Sequence, residues 1–210
     1  MQALLDLLAE NDDDGWIRIV DASWFDDDLK LEVIIHLDGD RPAESWEIEC
    51  TGVVEELICS DGAAGLSLSA EAPCLKWFLE PEVSITFSDN DMSPEALLAL
   101  VTSCCYAVMG DLDCLERGLN GAPSLDGIVR SRYGLLGRFP ATLAARIGDS
   151  LKDRPIRAGM LPGRLPQRWD GIAHANYPPL QVLELGRSYV IGQQFHAQRA
   201  LGVEENRCFV

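Results

Sequence analysis

Cationic residues are scarce in the first half of this chain, and that scarcity excludes whole classes of partner. Residues 1–100 hold four Lys and Arg against 24 Asp and Glu, a formal −20, whereas residues 101–210 hold 13 against ten, a formal +3. A surface of that sign repels nucleic-acid phosphates and anionic membranes and attracts cationic partners. Long apolar runs are missing too. No stretch reaches the ~18 apolar residues of a transmembrane helix. The opening MQALLDLLAENDDD lacks a basic leading region and a small-residue cleavage site. It reads as a short helix with Leu4, Leu5, Leu7 and Leu8 on one side, not as a secretory signal. The seven cysteines are odd in number and irregular in spacing. Reduced thiols and a cytoplasmic setting are therefore expected.

Catalytic and metal signatures are equally thin. No Gly-x-Ser-x-Gly, Walker or Gly-x-Gly-x-x-Gly sequence occurs. The histidines are His36, His174 and His196, with no His-x3-His or Cys-x2-Cys spacing to hold zinc. Ser88-Asp89-Asn90-Asp91 opens like a calcium loop, but Pro94 stands where that loop needs glycine and Leu100 where it needs glutamate. A turn followed by a helix cap is the expectation there. Cys104-Cys105 falls inside a helical pattern, where packing is expected of a small apolar side chain. No metal and no cofactor is expected.

What the chain does have is enough apolar material for a packed core, 47% of its residues. Leu29–Leu37 alternates, with Leu31, Val33 and Ile35 on one face and Glu32 and His36 on the other. Ser45–Val53 does the same, setting Trp46, Ile48 and Cys50 against Glu47, Glu49 and Thr51. The intervening Asp38-Gly39-Asp40-Arg41-Pro42 is a turn signal, so an antiparallel pair with one wet face is predicted. Further strands are predicted at Trp16–Val20, Val54–Cys59, Leu66–Ala70 and Val83–Phe87. Ser93, Pro94 and Glu95 announce a helix running to Met109 and stopped by Gly110. Helices are also predicted near Asp111–Leu119 and from Pro140 to Lys152. Residues 154–168, rich in Pro, Gly and Arg, are predicted to be a loop. Leu180–Leu185 and Ser188–Gln194 form a hairpin around Gly186-Arg187. The expected fold is α+β: a mostly antiparallel sheet from the N-terminal half, packed by helices from the second half, with a C-terminal β-hairpin. One domain over 1–210 is expected, with an acidic β-rich part over 1–90 and a helical part over 91–210.

The acidic triplets Asp12-Asp13-Asp14 and Asp26-Asp27-Asp28 are the first functional candidates. Three neighbouring carboxylates cannot converge on one ion, so an electrostatic patch is the chemistry they suit. Trp24 lies beside one triplet, and aromatic side chains concentrate binding energy at interfaces. Glu47 and Glu49 extend the negative face. Trp46, alternating with them, is expected in the core. The arginines of the second half, far more numerous than its lysines, suit forked pairing with carboxylates. In make-up the chain resembles acidic immunity proteins of bacterial toxin systems. That resemblance implies a cytoplasmic module that neutralises a basic protein partner. Two other classes compete. One is an enzyme drawing on His36, His174, Asp89 and Asp91. The other is a structural or assembly subunit.

Overall fold

A computed structural model describes residues 1–10, 15–37, 41–110, 114–119 and 131–200. The first part of the chain runs α1 (Gln2–Ala9), β1 (Trp16–Phe25), β2 (Asp28–His36), β3 (Glu44–Thr51), β4 (Glu55–Leu57) and β5 (Ser67–Ser69). The middle runs α2 (Lys76–Leu79), β6 (Glu82–Ser88), α3 (Pro94–Met109), α4 (Cys114–Gly118), β7 (Tyr133–Pro140), α5 (Ala141–Leu151) and β8 (Arg157–Leu161). Three strands close it: β9 (Gln181–Leu185), β10 (Ser188–Gly192) and β11 (Gln194–Arg199). Helices and antiparallel sheets are mixed, so the fold is α+β. No helix among the described residues is long and apolar enough to cross a membrane.

The chain divides into two compact units, Met1–Ala72 with Pro178–Val210, and Pro73–Tyr177. This division by contacts runs differently from the division by charge at residues 90 and 91. β6 falls in the second unit, and the chain returns at Pro178 to complete the first.

The first unit holds two four-stranded sheets, ordered β1-β2-β3-β11 and β4-β10-β9-β5. Alternation decides its packing. Leu29, Leu31, Val33 and Ile35 of β2 and Trp46, Ile48 and Cys50 of β3 are all buried. Val33 lies opposite Trp46 and Leu31 opposite Ile48, so the two runs share one inner face. Leu4 and Leu8 of α1 join that core, as do Leu183, Leu185 and Val190. Each fully buried Leu or Ile contributes on the order of 1.5–3 kcal/mol. The indole of Trp46 is inside as expected, its Nε1 donating to Glu44 Oε2 at 3.1 Å. Burial pushes the Cys50 thiol up to about 12, with Asp28 adding to the effect, so this thiol is inert at neutral pH. The predicted hairpin forms: β9 and β10 pair with Leu185 opposite Ser188. Gly186, at φ 59°, takes the first turn position, where the two-residue turn needs a left-handed residue.

The second unit is a three-stranded sheet, β7-β6-β8, with α3 and α5 on one face. Ser93 caps α3 by accepting from the Ala96 N–H at 3.2 Å, and Gly110 ends the helix at φ 82°. Leu97, Val101, Cys104, Cys105 and Met109 bury one face of α3 against Leu143, Ala144, Ile147 and Leu151 of α5. Two differences from the sequence reading stand out. Residues 154–168 are not loop throughout, because Arg157–Leu161 is an edge strand bounded by Pro155 and Pro162. Prolines are tolerated there because they lie just outside the ladder. β7 was not expected at all, since Gly134 and Gly137 interrupt its apolar pattern. Gly137 is required by close approach: a Cβ there would stand 2.4 Å from the Gly118 carbonyl of α4.

Candidate protein-binding face

Residues directly opposed across strands share a face of the sheet. In the β1-β2-β3-β11 sheet the outer face therefore reads in rows. Trp16 lies opposite His36, and Arg18 opposite Ile34. The bulge between Ile19 and Asp21 then resets the alternation. Beyond it, Asp21 faces Glu32, Glu32 faces Glu47, and Glu47 faces Gln198. The next row is Ser23, Lys30, Glu49 and His196. Phe25 opposite Asp28 ends the face at the β1–β2 turn.

Three carboxylates side by side repel one another, a cost of roughly 0.2–1 kcal/mol per directly opposed pair. One of the three is compensated. Lys30 Nζ lies 2.7 Å from Glu47 Oε1, and Gln198 donates to Glu47 Oε2 at 3.1 Å. The Lys30 hydrogen bond, helped by Gln198, holds the Glu47 carboxyl below the usual range. Asp21, Glu32 and Glu49 are exposed, and none is in an ion pair among the described residues.

Aromatic side chains border these acids. Trp16 and His36 stack with ring centroids 4.0 Å apart and planes 6° from parallel. The guanidinium of Arg18 lies 5.6 Å from the Trp16 ring. At the other end Phe25 is 65% exposed on this face, and its neighbour Trp24, opposite Leu29 and so on the other side of the strand, is 49% exposed. Burial normally claims such side chains, so their exposure makes this edge strand a candidate contact surface.

The predicted site residues separate into distinct roles. Asp26 and Asp27 form the tip of the β1–β2 hairpin, with Asp26 left-handed at φ 55°, which aspartate tolerates better than most residues. Asp28 is an anchor: its Oδ1 accepts from the Gly52 N–H at 3.0 Å. The Asp27 carbonyl accepts from the Val53 N–H at 3.1 Å. Those two bonds fix the tip to the turn after β3. Glu49 and Trp24 are exposed, while Glu47 is half-buried in its ion pair. Asp12, Asp13 and Asp14 lie outside the described residues. Sequence reading missed Asp21, because only the bulge at Val20 brings it into line with Glu32.

The residues named for an enzyme are divided between the two units, each with its own partners. His36 is in the first unit, stacked on Trp16. In the second unit Asp89 pairs with Arg157 at 3.4 Å and Asp91 with Arg132 at 3.3 Å. His174 packs edge-on against Phe78, 5.5 Å between centroids. Burial pushes His174 below its ordinary 6.5, and Arg168 adds to this against an opposing pull from Asp170. Asp170 accepts from the Tyr177 hydroxyl and from the Ile172 N–H, which together hold it below its usual range. That arrangement fastens a loop. Among the described residues no three His, Cys, Asp or Glu side chains converge to hold a metal ion. No protein-family model, curated protein or solved structure matches the chain.

Proposed function

We propose that this chain is an acidic protein-binding module, most concretely a cytoplasmic inhibitor or immunity-type protein that neutralises a basic partner such as a toxin. The observation that carries this reading is the outer face of the β1-β2-β3-β11 sheet. Among the described residues it keeps Asp21, Glu32 and Glu49 outside any ion pair, with exposed Phe25 on the same face and exposed Trp24, opposite Leu29, on the other side of the same edge strand. Uncompensated carboxylates cost folding energy but speed encounter with a cation-rich surface. Exposed aromatics then supply the short-range contact. The tip residues Asp26 and Asp27 add to the field without serving the core.

The test compares the wild-type chain with a variant carrying Asp21→Asn, Asp26→Asn, Glu32→Gln and Glu49→Gln. Asp28 is left intact because it holds the turn. Both are used to capture proteins from the native host lysate at 50 mM and 500 mM salt, roughly bracketing the range over which screening removes such fields. One stoichiometric basic partner, held at low salt by the wild type and lost by the variant, is the expected result. A partner held equally by both, or none at either salt, overturns the reading. The variant should fold with a stability close to that of the wild type, because the repulsion it removes along the row is offset by the lost attraction of Glu32 and Glu49 to Lys30.

A further inference from the structure

We infer that the groove between α3 and α5 in the second unit binds a small molecule with an anionic head and an apolar body. The groove encloses ≈ 370 Å³ and is lined by Met92, Ala96, Ala99 and Leu100 on one side and by Arg146, Ser150 and Arg154 on the other, with Ser103 and Cys104 between. That volume falls within the ~300–1,000 Å³ typical of ligand sites.

The groove follows from residue spacing. Ala96, Ala99 and Ser103 repeat at three- and four-residue intervals, so small side chains line one stripe of α3 and leave a gap against α5. Arg146, Ser150 and Arg154 are four apart and stand in one line along and just past α5. Their polar atoms are arranged and partly held. Ser150 Oγ donates to the Arg146 carbonyl at 2.9 Å, and Cys104 Sγ lies 3.4 Å from Ser150 Oγ.

Charge decides the ligand. This chain has twice as many acids as bases. Arg132, Arg138 and Arg157 each have a carboxylate partner. Arg146 and Arg154 have none among the described residues. Asp149, close in sequence to both, is hydrogen-bonded to Lys152 at 2.6 Å and feels Arg146 only as a weaker, more distant charge. Two unpaired guanidiniums therefore border a cavity that presents hydroxyls and no carboxylate. Their forked donors fit a carboxylate or a phosphate ester. Met92, Leu100 and the alanines offer the attached body an apolar wall. The inference concerns the second unit alone and does not depend on the acidic face of the first.

Isothermal titration of the full chain tests it, with octanoate, octyl phosphate, octanol and inorganic phosphate as probes, all below micellar concentration. One-to-one binding of octanoate or octyl phosphate is expected, and whichever binds tighter identifies the head group. Octanol and inorganic phosphate should bind about tenfold more weakly or worse, each lacking one half of the match. Arg146→Gln and Arg154→Gln, both at exposed positions, should each weaken binding about tenfold. Ala99→Phe, which fills the groove and leaves both arginines in the sequence, should abolish it. The inference is overturned if neither amphiphile binds one-to-one. It is also overturned if inorganic phosphate matches octyl phosphate, or if binding survives the arginine and Ala99 substitutions unchanged.

Discussion

Adding one methyl group at Gly118 tests the packing of the second unit more sharply than deleting a large side chain. Gly118 ends α4, and its φ lies outside the left-handed region, so alanine suits the backbone. Space is the difficulty. A Cβ at this position would stand 2.4 Å from Phe139 Cε1, 2.5 Å from Cδ1 and 3.1 Å from Trp77 Cη2. Carbon atoms in contact prefer about 3.5–4.0 Å. Phe139 is fully buried against β6 and α5 and has nowhere to swing. Overpacking of this kind costs about 1–3 kcal/mol. Replacing glycine in a helix returns up to about 1 kcal/mol, less at a terminal position. The expected net loss for Gly118→Ala is about 1–2 kcal/mol, a melting temperature lower by about 5–10 °C for a domain of roughly 100 residues. Urea unfolding followed by tryptophan fluorescence measures it, with Trp77 adjacent to the change. Gly65→Ala, with nothing within 4 Å of the new methyl, is the control and should stay within about 0.5 kcal/mol of wild type. Phe139→Leu trims the clashing ring edge, so the double variant should lose less than the sum of the two single losses. An unchanged stability for Gly118→Ala, or strict additivity with Phe139→Leu, would refute the packing of α4 on β7 described above.

Two further perturbations probe other parts of the fold. Ser188 is buried, its Oγ accepting from the Cys59 N–H at 2.9 Å and donating to the Cys59 carbonyl at 3.2 Å. Ser188→Ala leaves both backbone groups without that partner and should cost about 1–3 kcal/mol in the same urea assay; a neutral outcome would mean water replaces the hydroxyl. His174 has its folded-state pKa lowered from 6.5, so the unfolded chain takes up the proton first. Its contribution is therefore complete above pH 6.5 and is lost as pH falls through the lower folded value. Urea midpoints measured from pH 7.5 to 5 should decline for wild type and decline less for His174→Gln. Equal slopes for the two would show that His174 is not the group responsible. Asp170, lowered from 3.8 by Tyr177 and the Ile172 N–H, loses its contribution only below that value, outside the pH 7.5 to 5 range of this assay.

Legibility from sequence tracked how locally each element is determined. β2 and β3 were readable because one face is buried and the other wet, which imposes strict alternation. α3 was readable because Ser93, Pro94 and Gly110 mark both its ends. β7 was not, because Gly134 and Gly137 break its pattern, the second of them where α4 approaches closely. β8 hides in an Arg- and Pro-rich stretch, since an edge strand need bury little. β11, QFHAQR, has the composition of a loop and is a strand only because β3 offers it a ladder, with Phe195 opposite Cys50. The candidate face divides in the same way. Glu47, Glu49 and Trp24 follow from local alternation and neighbours. Asp21 joins them only through a bulge, and that bulge is set by pairing with β2. The groove residues Arg146 and Arg154 were visible as arginines, but the cavity between them and α3 arises from tertiary packing.

Charge pairing also accounts for the imbalance between the two halves of the sequence. The arginines of residues 101–210 are available, in principle, to every acid that precedes them. Arg187 and Arg199 pair with Asp61 and Glu44 in the first unit, and Arg132, Arg138 and Arg157 pair with Asp91, Glu82 and Asp89 in the second. The pairs of the second unit are exposed and each contributes at most about 1 kcal/mol, so they are not what holds that unit together. Their effect is on distribution: they discharge the acids nearest the helices and leave the row from Asp21 to Glu32 as it is. A chain under no demand but stability would place threonine or alternating charges at those opposed positions. Threonine at Asp21 would relieve the repulsion and suit the strand. The retained carboxylates are therefore better explained by a demand from outside the fold, and binding of a cation-rich protein surface, as proposed above, would be such a demand.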